Sequence, residues 1–222
     1  METLLLKITP LMIGSALSPG IFAIVLVILS RKEYLKRKIF SYFVGAILSA
    51  IIAIIVAFLV GTTPGVVQNK HDVYKAAIDI IIAIAFAFLG LKSFFEDPRT
   101  GNSRKFLSED GGKPGLVRWL TIGFLMGFLN FDNEFMFLVA VREVSHTDIE
   151  TLQKVITTII ATIVYLIPIE LPLILYFIFP RTADKILIPF SVFLKKYSRY
   201  IIGAIFLIFG FYLFYNGLRI LL

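Results

Sequence analysis

Hydrophobic positions along this chain come in long unbroken runs, and the runs are the first thing its sequence establishes. About 20 mainly apolar residues are needed for a helix to cross the hydrocarbon of a bilayer. Six stretches meet that length: Leu4–Ser30, Ile39–Val60, Val73–Phe95, Leu116–Val141, Leu152–Phe179 and Tyr200–Leu221. The first exceeds the apolar region of about 7–15 residues in a secretory signal and lacks a small-residue cleavage site, so it reads as a retained helix. The pattern predicts an all-α integral membrane protein of six transmembrane helices.

The polar stretch Glu96–Gly115, rich in Gly, Pro and Ser, has the composition of a linker. It divides one membrane domain, residues 1–222, into three helices over 4–95 and three over 116–222, with 96–115 as a cytoplasmic linker. An odd number of spans per half forces the halves into opposite orientations, which is the layout of two inverted three-helix repeats. Composition agrees: 58% of residues are hydrophobic and the mean hydropathy is +0.89, against about 45–50% apolar residues in soluble domains.

Charge adds an orientation. Arg31, Lys32, Lys36, Arg37 and Lys38 follow the first helix. Lys92, Arg99, Arg104, Lys105, Lys113 and Arg118 surround the third connection. Arg181, Lys185, Lys195, Lys196 and Arg199 follow the fifth helix. Basic residues favour the cytoplasmic side, so both termini are expected outside the cell membrane. The net charge of +7 is thereby assigned to topology and to anionic lipid headgroups, with no nucleic-acid partner expected.

Small residues recur at helical spacing. Gly45, Ser49, Ala53, Ala57 and Gly61 form one stripe, Gly203, Gly210 and Gly217 another, and Gly123 and Gly127 a GxxxG pair. Close helix packing is the plain reading, because small residues let backbones approach where lipid supplies no hydrophobic drive. Trp119 and Tyr197, near span ends, read as interfacial anchors.

Three polar interruptions carry the candidate chemistry. Ser18-Pro19-Gly20 breaks the first span, since proline removes a backbone hydrogen bond and clashes with the preceding turn. Asn130, Asp132, Asn133 and Glu134 crowd the centre of the fourth, where one acid costs about 2.5–3.5 kcal/mol to insert. In a regular helix Asn130, Asn133 and Glu134 share the face of Gly123 and Gly127, and Asp132 points elsewhere. Either the helix unwinds here or the two acids serve different neighbours. Glu170 lies between Pro168 and Pro172 among apolar neighbours of the fifth span, where a proton or a bound cation is expected to neutralise it. The first two interruptions fall at matching depths of the two halves, the arrangement that marks a midplane binding site in transporters with inverted repeats. Asp79 is read as reaching the outer interface.

Other chemistries find little support. Without cysteine there is no disulfide, thiolate metal site or thiol redox couple. His71 and His146 both fall in expected loops. No HExxH, no Ser/His pair within the membrane and no protease-like aspartate pair is present, so no enzyme is expected and no cofactor.

Several motifs resemble one family. GSALSP at 14–19, GFLN at 127–130, FPRTA at 179–183, RYIIG at 199–203 and the later Gly210 and Gly217 resemble the GAP/Sap family, the glycopeptidolipid-addressing-like proteins of the lysine exporter (LysE) superfamily. The resemblance implies six helices in two inverted triplets and the export of a small or lipid-linked molecule. Where such members usually carry Asn-Pro-Lys-Asn, this chain has Asn130-Phe-Asp-Asn133, and Asp132-Asn133 is similar to the Asp-Asn element of cadmium-resistance and TerC-type relatives. That departure favours a cationic substrate or proton coupling. The superfamily's thiol-electron carriers need a cysteine in each half and are excluded.

The expected function is a secondary exporter with a midplane site of Ser18, Pro19, Asn130, Asp132, Asn133, Glu134 and Glu170, coupled to a cation or protons. Its partners would be membrane lipids and a small solute, a cation or a lipid-linked substrate, with self-association left open. The alternatives are a translocase for lipids or lipid-linked intermediates or a membrane scaffold, and a divalent-metal exporter using Asp132 and Glu134.

Overall fold

A computed structural model describes residues 2–30, 34–61, 68–95, 115–180 and 182–221 of the chain. The linker expected at 96–115 lies outside the described residues except for Gly115. Eight helices and no strand occur among the described residues. They are α1 (Glu2–Ala16), α2 (Pro19–Ser30), α3 (Leu35–Gly61), α4 (Gln68–Phe95), α5 (Leu116–Leu129), α6 (Phe131–His146), α7 (Thr151–Ile178) and α8 (Ala183–Leu221). Four helices are long and apolar enough to cross a bilayer alone, within α3, α4, α7 and α8. The pairs α1/α2 and α5/α6 are bent by 48° and 75° and pass the same test as pairs, giving up to six spans.

Why some prolines break a helix and others do not is decided locally. Pro19 occupies the first position of α2, where its missing N–H would have had no helical partner anyway. Ser18 caps that helix: its Oγ accepts from the Ile21 N–H at 3.2 Å and its carbonyl from the Phe22 N–H at 3.1 Å. By contrast Pro10 lies inside α1, Pro168 and Pro172 inside α7, and Pro189 inside α8. The polar segment around Glu170 therefore leaves α7 continuous. Pro168, Pro172 and Pro189 follow Ile167, Leu171 and Ile188, which carry no capping group, and the Thr9 hydroxyl before Pro10 donates back to the Leu5 carbonyl at 2.6 Å.

Two seams of small residues organise the packing. Along α3, Gly45, Ser49, Ala53, Ala57 and Gly61 are all buried. A Cβ on Gly45 would lie 2.1 Å from the Leu120 carbonyl oxygen, and one on Gly123 would lie 2.1 Å from that of Tyr42. The α3 and α5 backbones thus touch with no room for a methyl group. In the second seam α8 lies along α4, where a Cβ on Gly203 would be 3.1 Å from the Gly90 carbonyl and one on Gly217 3.0 Å from that of Ala76. The stripes are the packing surfaces that their spacing suggests. Helix α7 packs instead along α1, α2 and α6.

Two expectations change. Trp119 is 2% exposed, with Lys38 Nζ 5.9 Å from its ring, so it belongs to the core and is not an interfacial anchor. Its neighbour Gly123 draws α5 so close to α3 that the indole is enclosed. The last helix starts at Ala183, well before Tyr200, and its 39 residues at about 1.5 Å each give a rod of about 58 Å.

Replacing Gly123 by Leu is expected to cost about 3 kcal/mol or more, since backbone must move to admit the side chain. Leu125→Ala, on the lipid-facing side of the same helix, should stay within about 0.5 kcal/mol. Melting of the purified proteins in detergent measures both.

Candidate functional site

The two helix breaks meet. Asn130, the hinge between α5 and α6, has φ −93° and ψ 52° and makes no side-chain cap to its own helix. Its Nδ2 instead donates to Ser18 Oγ, the cap of the other break, at 2.6 Å. One turn later Asn133 Nδ2 donates to the carbonyls of Gly14 at 2.9 Å and Ser15 at 3.1 Å. Both lie in the last turn of α1, where carbonyls run short of helical N–H donors because α1 stops at Ala16; the Gly14 carbonyl also accepts from the Leu17 N–H at 3.1 Å. One break is written into its local sequence, with a serine cap and a first-turn proline. The other has no proline and is braced by the first.

Glu134 lies beside this crossing, 7% exposed, in the first turn of α6. A carboxylate is favoured there by the partial positive charge of a helix N-terminus. Ser49 of α3 donates to its Oε1 at 3.1 Å, and the Tyr165 hydroxyl of α7 donates to its Oε2. Tyr165 is held by stacking on Phe137, with centroids 4.5 Å apart. Gly127 makes space for the group: a Cβ there would sit 1.9 Å from Ser49 Oγ and 3.4 Å from Glu134 Oε2. Four elements, α1, α3, α6 and α7, thus converge on one enclosed cluster of amides, hydroxyls and a single carboxylate.

The expected site residues divide. Ser18, Asn130, Asn133 and Glu134 come together as described, and Pro19 starts α2 beside them. Asp132 is half-buried and is not one of Glu134's hydrogen-bond partners, so the two acids serve different neighbours. Glu170 is half-exposed on α7, about a turn and a half beyond Tyr165. Among the described residues no three His, Cys, Asp or Glu side chains gather as a metal would require. His71 has no described side chain, and His146 ends α6 and does not lie in a loop.

A second polar group was not anticipated. Arg142 of α6 is fully buried, and its Nη1 lies 2.8 Å from Asp79 Oδ1 of α4, itself 3% exposed. Asp79 is therefore an interior partner and not a group reaching the interface. Lys7 of α1 forms an ion pair with Glu143, the neighbour of Arg142. These pairs tie α1 and α4 to the last turns of α6. Ser49 and Tyr165 escaped notice too, the first inside a stripe of small residues and the second as one hydroxyl in an apolar helix. The signal available was a polar atom at mid-span in each.

Asp79→Asn leaves the enclosed guanidinium with only the more distant Glu143 carboxylate, 3.9 Å away, and is expected to cost about 3 kcal/mol. The double change Asp79→Leu with Arg142→Met should recover most of that loss. Thermal denaturation of the three proteins decides it; equal melting of Asp79→Asn and the parent would refute an energetically coupled pair.

A family model described as Sap, sulfolipid-1-addressing protein, matches residues 8–219. No curated protein and no solved structure matches the chain.

Proposed function

We propose that this chain, which belongs to the Sap, sulfolipid-1-addressing protein, family, is a secondary transporter that carries a lipid or lipid-linked molecule across the membrane. The observation that carries this reading is the Asn130–Ser18 contact of 2.6 Å, which joins two broken helices beside the buried carboxylate of Glu134. Broken helices with free half-helix ends at mid-depth are the form that substrate and coupling-ion sites take in transporters built from inverted repeats.

The packing supports two inverted halves. Helix α3 lies along α5 and α6, α7 lies along α1 and α2, and α4 pairs with α8. Exchanging α1/α2 with α5/α6, α3 with α7 and α4 with α8 turns each of these contacts into another of the set. That is what a two-fold relation between residues 4–95 and 116–222 requires. The termini outside and the basic connections in the cytoplasm follow from the Lys and Arg bias.

In this mechanism Glu134 binds and releases the coupling proton. Ser49 and Tyr165 donate hydrogen bonds to its charged form and hold the carboxylate in place. Asn130, Asn133 and Ser18 keep the two breaks in register while one triplet rocks against the other. Asp132 and Glu170 are each partly exposed on the helices that carry the cluster, α6 and α7. A small polar or cationic solute is the rival cargo, because amides, hydroxyls and one acid could serve it without an acyl chain.

In proteoliposomes with an imposed pH gradient, the protein should move a headgroup-labelled anionic lipid between leaflets, scored by protection from a membrane-impermeant quencher. Glu134→Gln should slow that movement at least tenfold while leaving the melting temperature nearly unchanged. A rate indifferent to both the gradient and the substitution would remove Glu134 from the mechanism. A wild-type protein that moves no labelled lipid would favour the solute reading.

A further inference from the structure

Between α3 and α7 the bundle is open to its surroundings. A groove of about 250 Å³ lies there, lined by Ile39, Phe40 and Phe43 from α3, Leu173 and Phe177 from α7, and Lys36 at one end. Every lining side chain except Lys36 is apolar. Lys36 is exposed and forms no ion pair with any described residue. A second lateral groove, between α4 and α8, has Ile84, Phe211 and Phe214 in its lining and no charged residue in it.

The lining positions advance along both helices in turn, from Lys36 to Phe43 on α3 and from Phe177 back to Leu173 on α7. From Lys36 to Phe43 the groove extends about 10 Å at 1.5 Å per residue. Its charged end is the end of α3 that follows Arg31 and Lys32 in the sequence and the end of α7 that precedes Arg181 and Lys185. The shape is therefore a slot, charged at the bilayer surface and apolar towards the midplane, as a lipid in a leaflet is.

We infer that this groove holds one acyl chain of an anionic phospholipid, with Lys36 paired to its phosphate. A zwitterionic lipid offers the same chain and a phosphate already partnered by its own cation. The net negative headgroup is what Lys36 selects.

The slot also has a direction. Glu170, Leu173 and Phe177 are spaced i, i+3 and i+7 and share one face of α7, so the lining stripe continues inward to Glu170. Further in on the same two helices, Ser49 of α3 and Tyr165 of α7 hold Glu134. The groove is then the lateral entrance to the Glu134 cluster, a step that rests on the transport reading above. The lipid site itself does not.

The chain has one tryptophan, Trp119, which makes a local test simple. In a Trp119→Phe background, Phe177→Trp places a fluorophore in the groove and Ile208→Trp places one on a lipid-facing position of α8 outside both grooves. The full-length variants are reconstituted in vesicles of phosphatidylcholine containing equal fractions of chain-brominated phosphatidylglycerol or chain-brominated phosphatidylcholine. The groove reporter should show about fivefold enrichment of the anionic lipid, the factor one lysine near a bilayer surface contributes. That preference should vanish with Lys36→Glu and be absent at the α8 reporter. Equal quenching by the two lipids in the groove, or a preference that survives Lys36→Glu, would overturn the inference. Glu134→Gln separates the two proposals: lipid preference kept with transport lost supports both, and preference kept with transport unchanged leaves the groove standing and removes the Glu134 mechanism.

Discussion

In hydrocarbon no solvent satisfies a broken helix, so each freed backbone carbonyl must find a donor inside the protein. That constraint sets the centre of this molecule. Ending α1 at Ala16 leaves the carbonyls of its last turn short of helical donors, and the amide of Asn133 donates to two of them, that of Gly14, which also accepts from the Leu17 N–H, and that of Ser15. Asn133 reaches them because the chain turns by 75° at Asn130, and Asn130 holds that turn by reaching Ser18. Each break thus supplies what the other lacks. Glu134, Ser49 and Tyr165 are brought together as a consequence, because the first turn of α6 can point only where the crossing aims it.

Much of the fold was readable in advance, for a physical reason. Lipid-facing helices must be apolar over a set length, and close helix contacts must use small residues, so spans and seams both leave marks in one dimension. The stripe from Gly45 to Gly61 and the three glycines of α8 were visible for that reason. Pro168 and Pro172 leave α7 continuous, whereas Pro19 follows the break that Ser18 caps, so a proline marks a helix end only together with its neighbours. Trp119 misled because exposure depends on how near a neighbouring backbone comes, which no single helix records.

The centre of the site was legible where a residue is costly in lipid, as with Asn130, Asn133 and Glu134. It was illegible where the residue is cheap. Ser49 and Tyr165 are unremarkable in an apolar helix, and only their meeting on one carboxylate gives them meaning. The Asp79–Arg142 pair was hidden for a different reason: each partner stands near a span end, where charge is ordinary, and burial arises from packing between α4 and α6. Membership of the sulfolipid-1-addressing protein family agrees with the resemblance seen in the GSALSP and GFLN motifs.

The length of α8 has a mechanical consequence. A rod of about 58 Å exceeds the roughly 30 Å of hydrocarbon by nearly a factor of two. Its first half carries Lys185, Lys195, Lys196 and Arg199 among exposed Ile186, Ile188, Val192 and Phe193, a mixture suited to the headgroup layer. Phe190 of that half packs edge-on against Phe22 of α2, with ring centroids 5.2 Å apart. The second half is seamed to α4. One helix, with Pro189 in its first half, therefore contacts both the broken first span and the bundle, so a change in membrane thickness that tilted it would act on both.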